Sequence, residues 1–268
     1  QHPIVKLWYT DQTRFLIQEY SEFFHEELNS TTNTSYELSN KFYHRKKKLE
    51  SINKFILDDT KNVAIINGEA GIGKTRLCIE FFKQYIDKNN EWKALVTVSH
   101  KINLQVLQTA LTGERNYVVL IDDADKFDEK DIADLFSLIK VIKHNKVKLL
   151  LTVRTPFLNQ VLSQITANDK TERIKSIQLD QLTREETVEF LKGELKDYRI
   201  EKYLASFTEL THGVPIMIMT LLRTIRNGTN LSKIKKDSFL KTYVKQYFDQ
   251  FIETTSVEKE ILKKDIKK

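Results

Sequence analysis

A chain of 268 residues, 40% of them hydrophobic, can bury one large core or two modest ones, which excludes a disordered polymer. No apolar run reaches the roughly 18 residues that a membrane-crossing helix needs, so no membrane partner is expected. The formal charge of +6 admits nucleic acid as a partner, but Lys and Arg (43) only modestly exceed Asp and Glu (37) and are interspersed with them, which favours a solvated lysine-rich surface. The single cysteine, Cys78, rules out an internal disulfide and points to a reducing, cytoplasmic setting.

In chain order, residues 12–28 place Phe15, Leu16, Tyr20, Phe23 and Phe24 near helical spacing, which predicts a helix. The polar stretch NSTTNTSYELSN that follows reads as a linker. From Lys41 onward the pattern alternates. NVAIIN (62–67) is a short apolar run closed by glycine, a buried strand, and 74–87 is a helix with Leu77, Cys78, Phe81, Phe82 and Tyr85 on one face. ALVTV (94–98), YVVLI (117–121) and KLLLTV (148–153) are further buried strands, and SIQL (176–179) is a candidate for one more. Between the last two of the three, Ile132, Leu135, Phe136, Ile139 and Ile142 mark an amphipathic helix. The fold class is therefore α/β, a parallel sheet with helices on both faces.

Strand signals end at Leu182. Thr183 and Glu186 have the spacing of a capping box, and Val188, Leu191 and Leu195 continue the helix it opens. Leu204, Phe207 and Leu210 carry a second helix that stops at Gly213, and Pro215 opens a third that Asn227-Gly228 closes. The expected organisation is an N-terminal helix and linker (1–40), an α/β domain (41–182) and a small all-helical lid domain (183–268).

Three of the seven glycines fall within six residues, directly after the first buried strand. Gly68-Glu69-Ala70-Gly71-Ile72-Gly73-Lys74-Thr75, followed by Arg76, matches G-x-x-x-x-G-K-[ST] in the strand–loop–helix setting that this phosphate-binding pattern requires. Glycines let the backbone close around phosphate oxygens, and successive N–H groups with the helix N-terminus aim positive potential at the anion. Lys74 adds a movable charge for the β- and γ-phosphates, and the Thr75 hydroxyl can ligate Mg2+. YVVLIDDAD then supplies Asp122 at a strand's C-terminal end as the second metal ligand, with Asp123 placed to orient or deprotonate the attacking water. Thr152 and Arg154 end the next strand, where a cationic group can tell ATP from ADP. ATP is preferred over GTP because no N-K-x-D pattern follows; ANDK (167–170) has its Asn and Lys elsewhere.

Together these segments resemble the STAND branch of the AAA+-like P-loop ATPases, the NACHT/NB-ARC-like switch modules, over roughly 41–225. FYHRKKKLESI (42–52) resembles the family's aromatic-x-Gly-Arg lead-in, which implies that Arg45 approaches the adenine end, although His44 stands in the glycine position. GEAGIGKT and VVLIDD are similar to its Walker A and Walker B segments, and LLLTVR to its sensor strand, which implies a phosphate-sensing role for Arg154. LDQLTREETVEFL followed by THGVP resembles its helical lid with a G-x-P motif, which places Pro215 near the base. The resemblance implies a Mg-dependent, slow ATPase whose ATP or ADP lies between the two domains. It also implies self-association on activation, and effector and sensor domains flanking this segment, with antiphage defence as one setting. A DNA-associated AAA+ ATPase of the initiator or loader type stays open beside it, on the strength of Arg45-Lys46-Lys47-Lys48 and the lysines of 233–236. No helix-turn-helix is recognisable in its support.

Overall fold

Short apolar runs that alternate with amphipathic helices bury both faces of a sheet, and the computed structural model has that arrangement. It describes residues 18–19, 42–97, 104–111, 113–142, 146–167, 173–234, 236–237 and 239–241. The chain divides into two compact units, one of Gln1–Glu26 with Arg45–Asp180 and one of Glu27–His44 with Gln181–Lys268.

The first unit holds a six-stranded sheet. Its strands are β1 (Gln18–Glu19), β2 (Val63–Gly68), β3 (Trp92–Val96), β4 (Asn116–Ile121), β5 (Val147–Arg154) and β6 (Ile174–Gln178), in the spatial order β1-β3-β4-β5-β2-β6. All neighbours are parallel except β1, which pairs antiparallel with β3. The described helices are α1 (Lys46–Leu57), α2 (Lys74–Phe81), α3 (Leu104–Ala110), α4 (Glu129–Val141) and α5 (Leu158–Thr166). Every residue of β2 is buried, and so is β5 from Val147 to Val153, as continuous apolar runs in a covered parallel sheet demand. Lys148 is the charged exception in that run. Its stem lies in the core, while Nζ donates to Asp58 O at 2.6 Å and to Lys61 O and lies 5.3 Å from the Phe55 ring.

The connection β4–α4–β5 returns the chain between β4 and β2, so the strand that carries the glycine loop and the strand that ends in Asp122 flank β5. Facing pairs such as Ile66 with Thr152 and Leu120 with Leu150 fix the register. The three C-terminal ends therefore emerge side by side.

The helix expected over 12–28 is corrected at Gln18–Glu19, which form a strand paired with Leu95 and Val96; the rest of that stretch, and the linker, lie outside the described residues. The open edge of β3 offers unpaired backbone groups, and their pairing outweighs the helical spacing of nearby side chains. The helix after the glycine loop also departs from regularity. It continues through Phe82–Ile86 as a π-helix, with Phe81 and Tyr85 stacked at 5.2 Å.

The second unit contains α6 (Arg184–Glu194), α7 (Leu204–Thr211) and α8 (Pro215–Arg226). The capping box forms, with Thr183 Oγ1 accepting from Glu186 N and Glu186 Oε2 accepting from Thr183 N. Phe190, Leu191, Phe207, Ile218, Leu221 and Leu222 form the core of this unit. Tyr43, from the segment before α1, joins it by stacking on Phe190 at 4.4 Å and donating to Glu194 Oε1 at 3.2 Å. Among the described residues no helix is long and apolar enough to cross a membrane.

Candidate functional site

The glycine loop joins β2 to α2, and its glycines serve two needs. At Gly68 a Cβ would stand 2.8 Å from Leu179 O and 2.9 Å from Ile72 Cγ2, so close packing excludes a side chain. Gly71 (φ 71°) and Gly73 (φ 92°) take left-handed backbone that L side chains disfavour. A Cβ on Gly73 would meet no atom within 4 Å. It would project into open space at the start of α2. Ile72 is buried and pins the loop, while Glu69 and Ala70 are exposed.

Lys74 is 7% exposed, and its Nζ donates to Gly68 O and Glu69 O, each at 3.0 Å. Burial holds its ammonium below the ordinary lysine range, while Asp123, Asp122 and Asp125 act against that shift. The Thr75 hydroxyl lies 2.8 and 3.0 Å from the two Asp122 oxygens. Thr152 Oγ1 donates to Asp122 Oδ1 at 2.6 Å and accepts from Asp123 N at 2.8 Å. Burial, and then the neighbouring Asp123 charge, push the Asp122 carboxyl up to about 6. An anionic carboxylate crowded in this way, facing a threonine hydroxyl, is a hard oxygen donor set suited to Mg2+. Among the described residues no three His, Cys, Asp or Glu side chains gather into a metal-ligand group.

Asp123 adopts left-handed backbone (φ 49°) and pairs with Lys126 at 2.7 Å. Burial would raise its carboxyl, but the Lys126 hydrogen bond and charge outweigh that and lower it. Arg154 sits beside Gly68 in the β2–β5 register, and its guanidinium lies 4.7 Å from the Phe157 ring. Its Nε donates to Asp125 Oδ2 at 2.7 Å. Asp125, Lys126 and Phe157 are therefore part of this constellation. Sequence reasoning gave none of them a role there, because their partners are set by the β4–β5 register and the short helical turns after each strand. Their one signal in the sequence is position, just past strand ends already assigned to the site.

Arg76 pairs instead with Glu80 at 2.6 Å along α2. Arg45 is buried and donates to Asp180 O at 2.6 Å, and Lys48 donates to Gln178 O at 2.5 Å. Two of the four cations in the 45–48 run thus hold the chain at and just after β6. His44 has φ 55°, a backbone in which glycine is unstrained. In the helical unit, Gly213 (φ 67°) would place a Cβ 2.1 Å from Leu182 O, and Pro215 occupies the first turn of α8.

The sequence profile of the family described as novel STAND NTPase 3 matches residues 42–197, more than half of the chain. The chain belongs to this family. No curated protein matches the sequence. Among solved structures, this STAND NTPase is similar to the Walker-type ATPase PABY2304 of Pyrococcus abyssi, at 12% identity and a TM-score of 0.56, covering 84% of this chain and 76% of that one. It is similar to S. cerevisiae Hsp104 in complex with casein, at 15% identity and a TM-score of 0.51, over 84% of this chain and 39% of that one. It is also similar to Cdc6p from Pyrobaculum aerophilum, at 14% identity and a TM-score of 0.55, over 80% and 68%. At such identities the likeness establishes a shared P-loop NTPase fold. The STAND NTPase chain spans well under half the length of the Hsp104 chain it matches.

Proposed function

We propose that this chain is the nucleotide-binding switch module of a STAND protein. It binds ATP with Mg2+, hydrolyses it slowly, and through its nucleotide state controls self-association and an attached effector, in antiphage signalling. The observation that carries this reading is the linked set Lys74, Thr75, Asp122 and Thr152, which joins a phosphate cradle to a carboxylate across three adjacent strand ends.

In this reading Thr75 and Asp122 would hold Mg2+, which would supply positive charge to the nucleotide's phosphates. Lys74 exchanges the Gly68 and Glu69 carbonyls for those oxygens, a trade of neutral for ionised acceptors. Thr152 fixes the Asp122 carboxylate and the Asp123 backbone at once. Asp123 orients water and takes its proton, and its pairing with Lys126 weakens it as a base, in keeping with slow turnover. Arg154 meets the terminal phosphate. Gly68, Glu69, Ala70, Gly71, Ile72 and Gly73 form the cradle, while Arg45 and Arg76 are held by Asp180 O and Glu80. The effector and sensor domains lie outside this segment. The loader-like reading loses support because Arg45 and Lys48 are engaged with backbone carbonyls.

Binding and turnover of Mg-ATP by wild type and Lys74→Ala test the proposal. Loss of the charge-assisted contact should cost about 1.5–3 kcal/mol or more in binding and abolish turnover. Equal affinity in the two proteins defeats it.

A further inference from the structure

Asp123 is restrained at three points. Its backbone is left-handed (φ 49°), its N–H donates to Thr152 Oγ1 at 2.8 Å, and its Oδ2 lies 2.7 Å from Lys126 Nζ. Aspartate enters left-handed backbone more readily than most residues, but the conformation still costs free energy that its surroundings must offset. The one-turn helix Ala124–Lys126 brings Lys126 back over Asp123, with Lys126 N donating to Asp123 O at 2.9 Å and Phe127 N to Ala124 O at 3.3 Å. Ala124 and Phe127 are buried and anchor the turn, so packing carries the ammonium to the carboxylate.

In the proposed reaction Asp123 has to meet a water. A lysine ammonium has three donors and no acceptor, so Lys126 cannot pass a proton from that water to Asp123. It competes with the water for the carboxylate instead. The Lys126 and Asp123 side chains are 36% and 33% exposed. An ion pair this open to solvent is weak and is screened by salt, so it opens and closes rather than locks. When it opens, the carboxylate stays in the field of Lys74 and Arg154 and keeps a compensating charge. A local opening of this kind can set the rate of turnover without touching nucleotide affinity.

We infer that the Lys126–Asp123 pair is an autoinhibitory contact, which has to open before water reaches Asp123, so that Lys126 holds turnover below the rate the site can support. This rests on the phosphate-site reading above and makes Lys126 a positioning residue that regulates that site.

Mg-ATP affinity by calorimetry and turnover at saturating Mg-ATP test it, on wild type, Lys126→Gln, Lys126→Arg, Asp123→Asn and the double variant Lys126→Gln with Asp123→Asn. Lys126→Gln should raise kcat by about twofold to fivefold, the worth of an exposed pair, with affinity within about twofold of wild type. Lys126→Arg, which can form the pair again, should turn over more slowly than Lys126→Gln. Added salt should speed wild type more than Lys126→Gln, because only wild type has a pair to screen. The double variant should be no faster than Asp123→Asn, because the gain acts through Asp123. A merely structural role for Lys126 would leave kcat unchanged or lower it, and that result overturns the inference. A gain that persists in the double variant overturns it too. If Lys126→Gln fails to fold, the salt response of wild type decides, and a kcat that does not rise overturns the inference. Wild type that binds no Mg-ATP overturns the phosphate-site reading and this inference with it. Wild type that binds Mg-ATP, with Lys126→Gln no faster, overturns this inference alone.

Discussion

Thr152→Val removes a hydroxyl that is fully buried in β5 and changes little else about the side chain's shape. Two interactions go with it: the 2.6 Å bond to Asp122 Oδ1 and the 2.8 Å bond from Asp123 N. A hydrogen bond to a charged group contributes about 1.5–3 kcal/mol, and a stranded N–H costs about 1–3 kcal/mol. The added methyl returns about 0.8 kcal/mol, and Asp122 and Asp123 lie near enough to solvent to regain some hydration, so the net loss of stability should be about 2–4 kcal/mol. Urea denaturation followed by fluorescence reads this directly, because Trp92 is buried in β3 of the same sheet. The midpoint should fall at an unchanged m-value. Thr152→Ser, which keeps the hydroxyl, should lose only about 1 kcal/mol. A Thr152→Val protein within about 0.5 kcal/mol of wild type, or one no worse than Thr152→Ser, would refute the idea that this hydroxyl ties the two carboxylate residues together.

Two further outcomes concern the helical unit. Gly213→Ala should lower its stability by about 2–4 kcal/mol, since left-handed backbone costs about 1–2 kcal/mol and the new Cβ would press on Leu182 O, a backbone atom that cannot step aside. Gly228→Ala, at φ 83° with open space around the Cβ, should show only the first of these costs, and thermal melts of the two variants compare them. Burial, and then the Glu194 carboxylate, push the Tyr43 phenol up to about 12 from its ordinary value of 10.0. The native state keeps a proton that the unfolded chain releases, so the stabilisation is complete below pH 10 and is lost as pH rises through about 12. Over that window wild type should lose stability more steeply than Tyr43→Phe in denaturation curves taken across alkaline pH, and parallel curves would show that Tyr43 is not held in this way.

Much of the site was legible because its signals are local. A buried strand, a glycine loop and Lys74-Thr75 lie within fourteen residues, and Asp122 is announced by the five apolar residues before it. The central strands were legible to within about two residues, since a strand buried on both faces must be written as an unbroken apolar run. What escaped depends on distant partners. The Asp125–Arg154 pair spans 29 residues of sequence and exists only because β4 and β5 are neighbours in one particular register. The strand at Gln18–Glu19 is imposed by an edge of β3 that nothing near residue 18 reveals. The π-helical turn at Phe82–Ile86 has no marker in composition at all. The match at His44 was visible only as a departure from glycine; its left-handed backbone explains why that place favours glycine.

The cations Arg45 and Lys48 bear on solubility as well as on local structure. Among the described residues β6 is the outermost strand on its side of the sheet, and an outermost strand is a ready template onto which a strand of another molecule can add. With Gln178 O and Asp180 O already engaged by α1, an incoming strand finds those acceptors taken. Shortening the protein from its N-terminal side through residue 48 would free Gln178 O and Asp180 O, and such a variant should aggregate more readily than wild type.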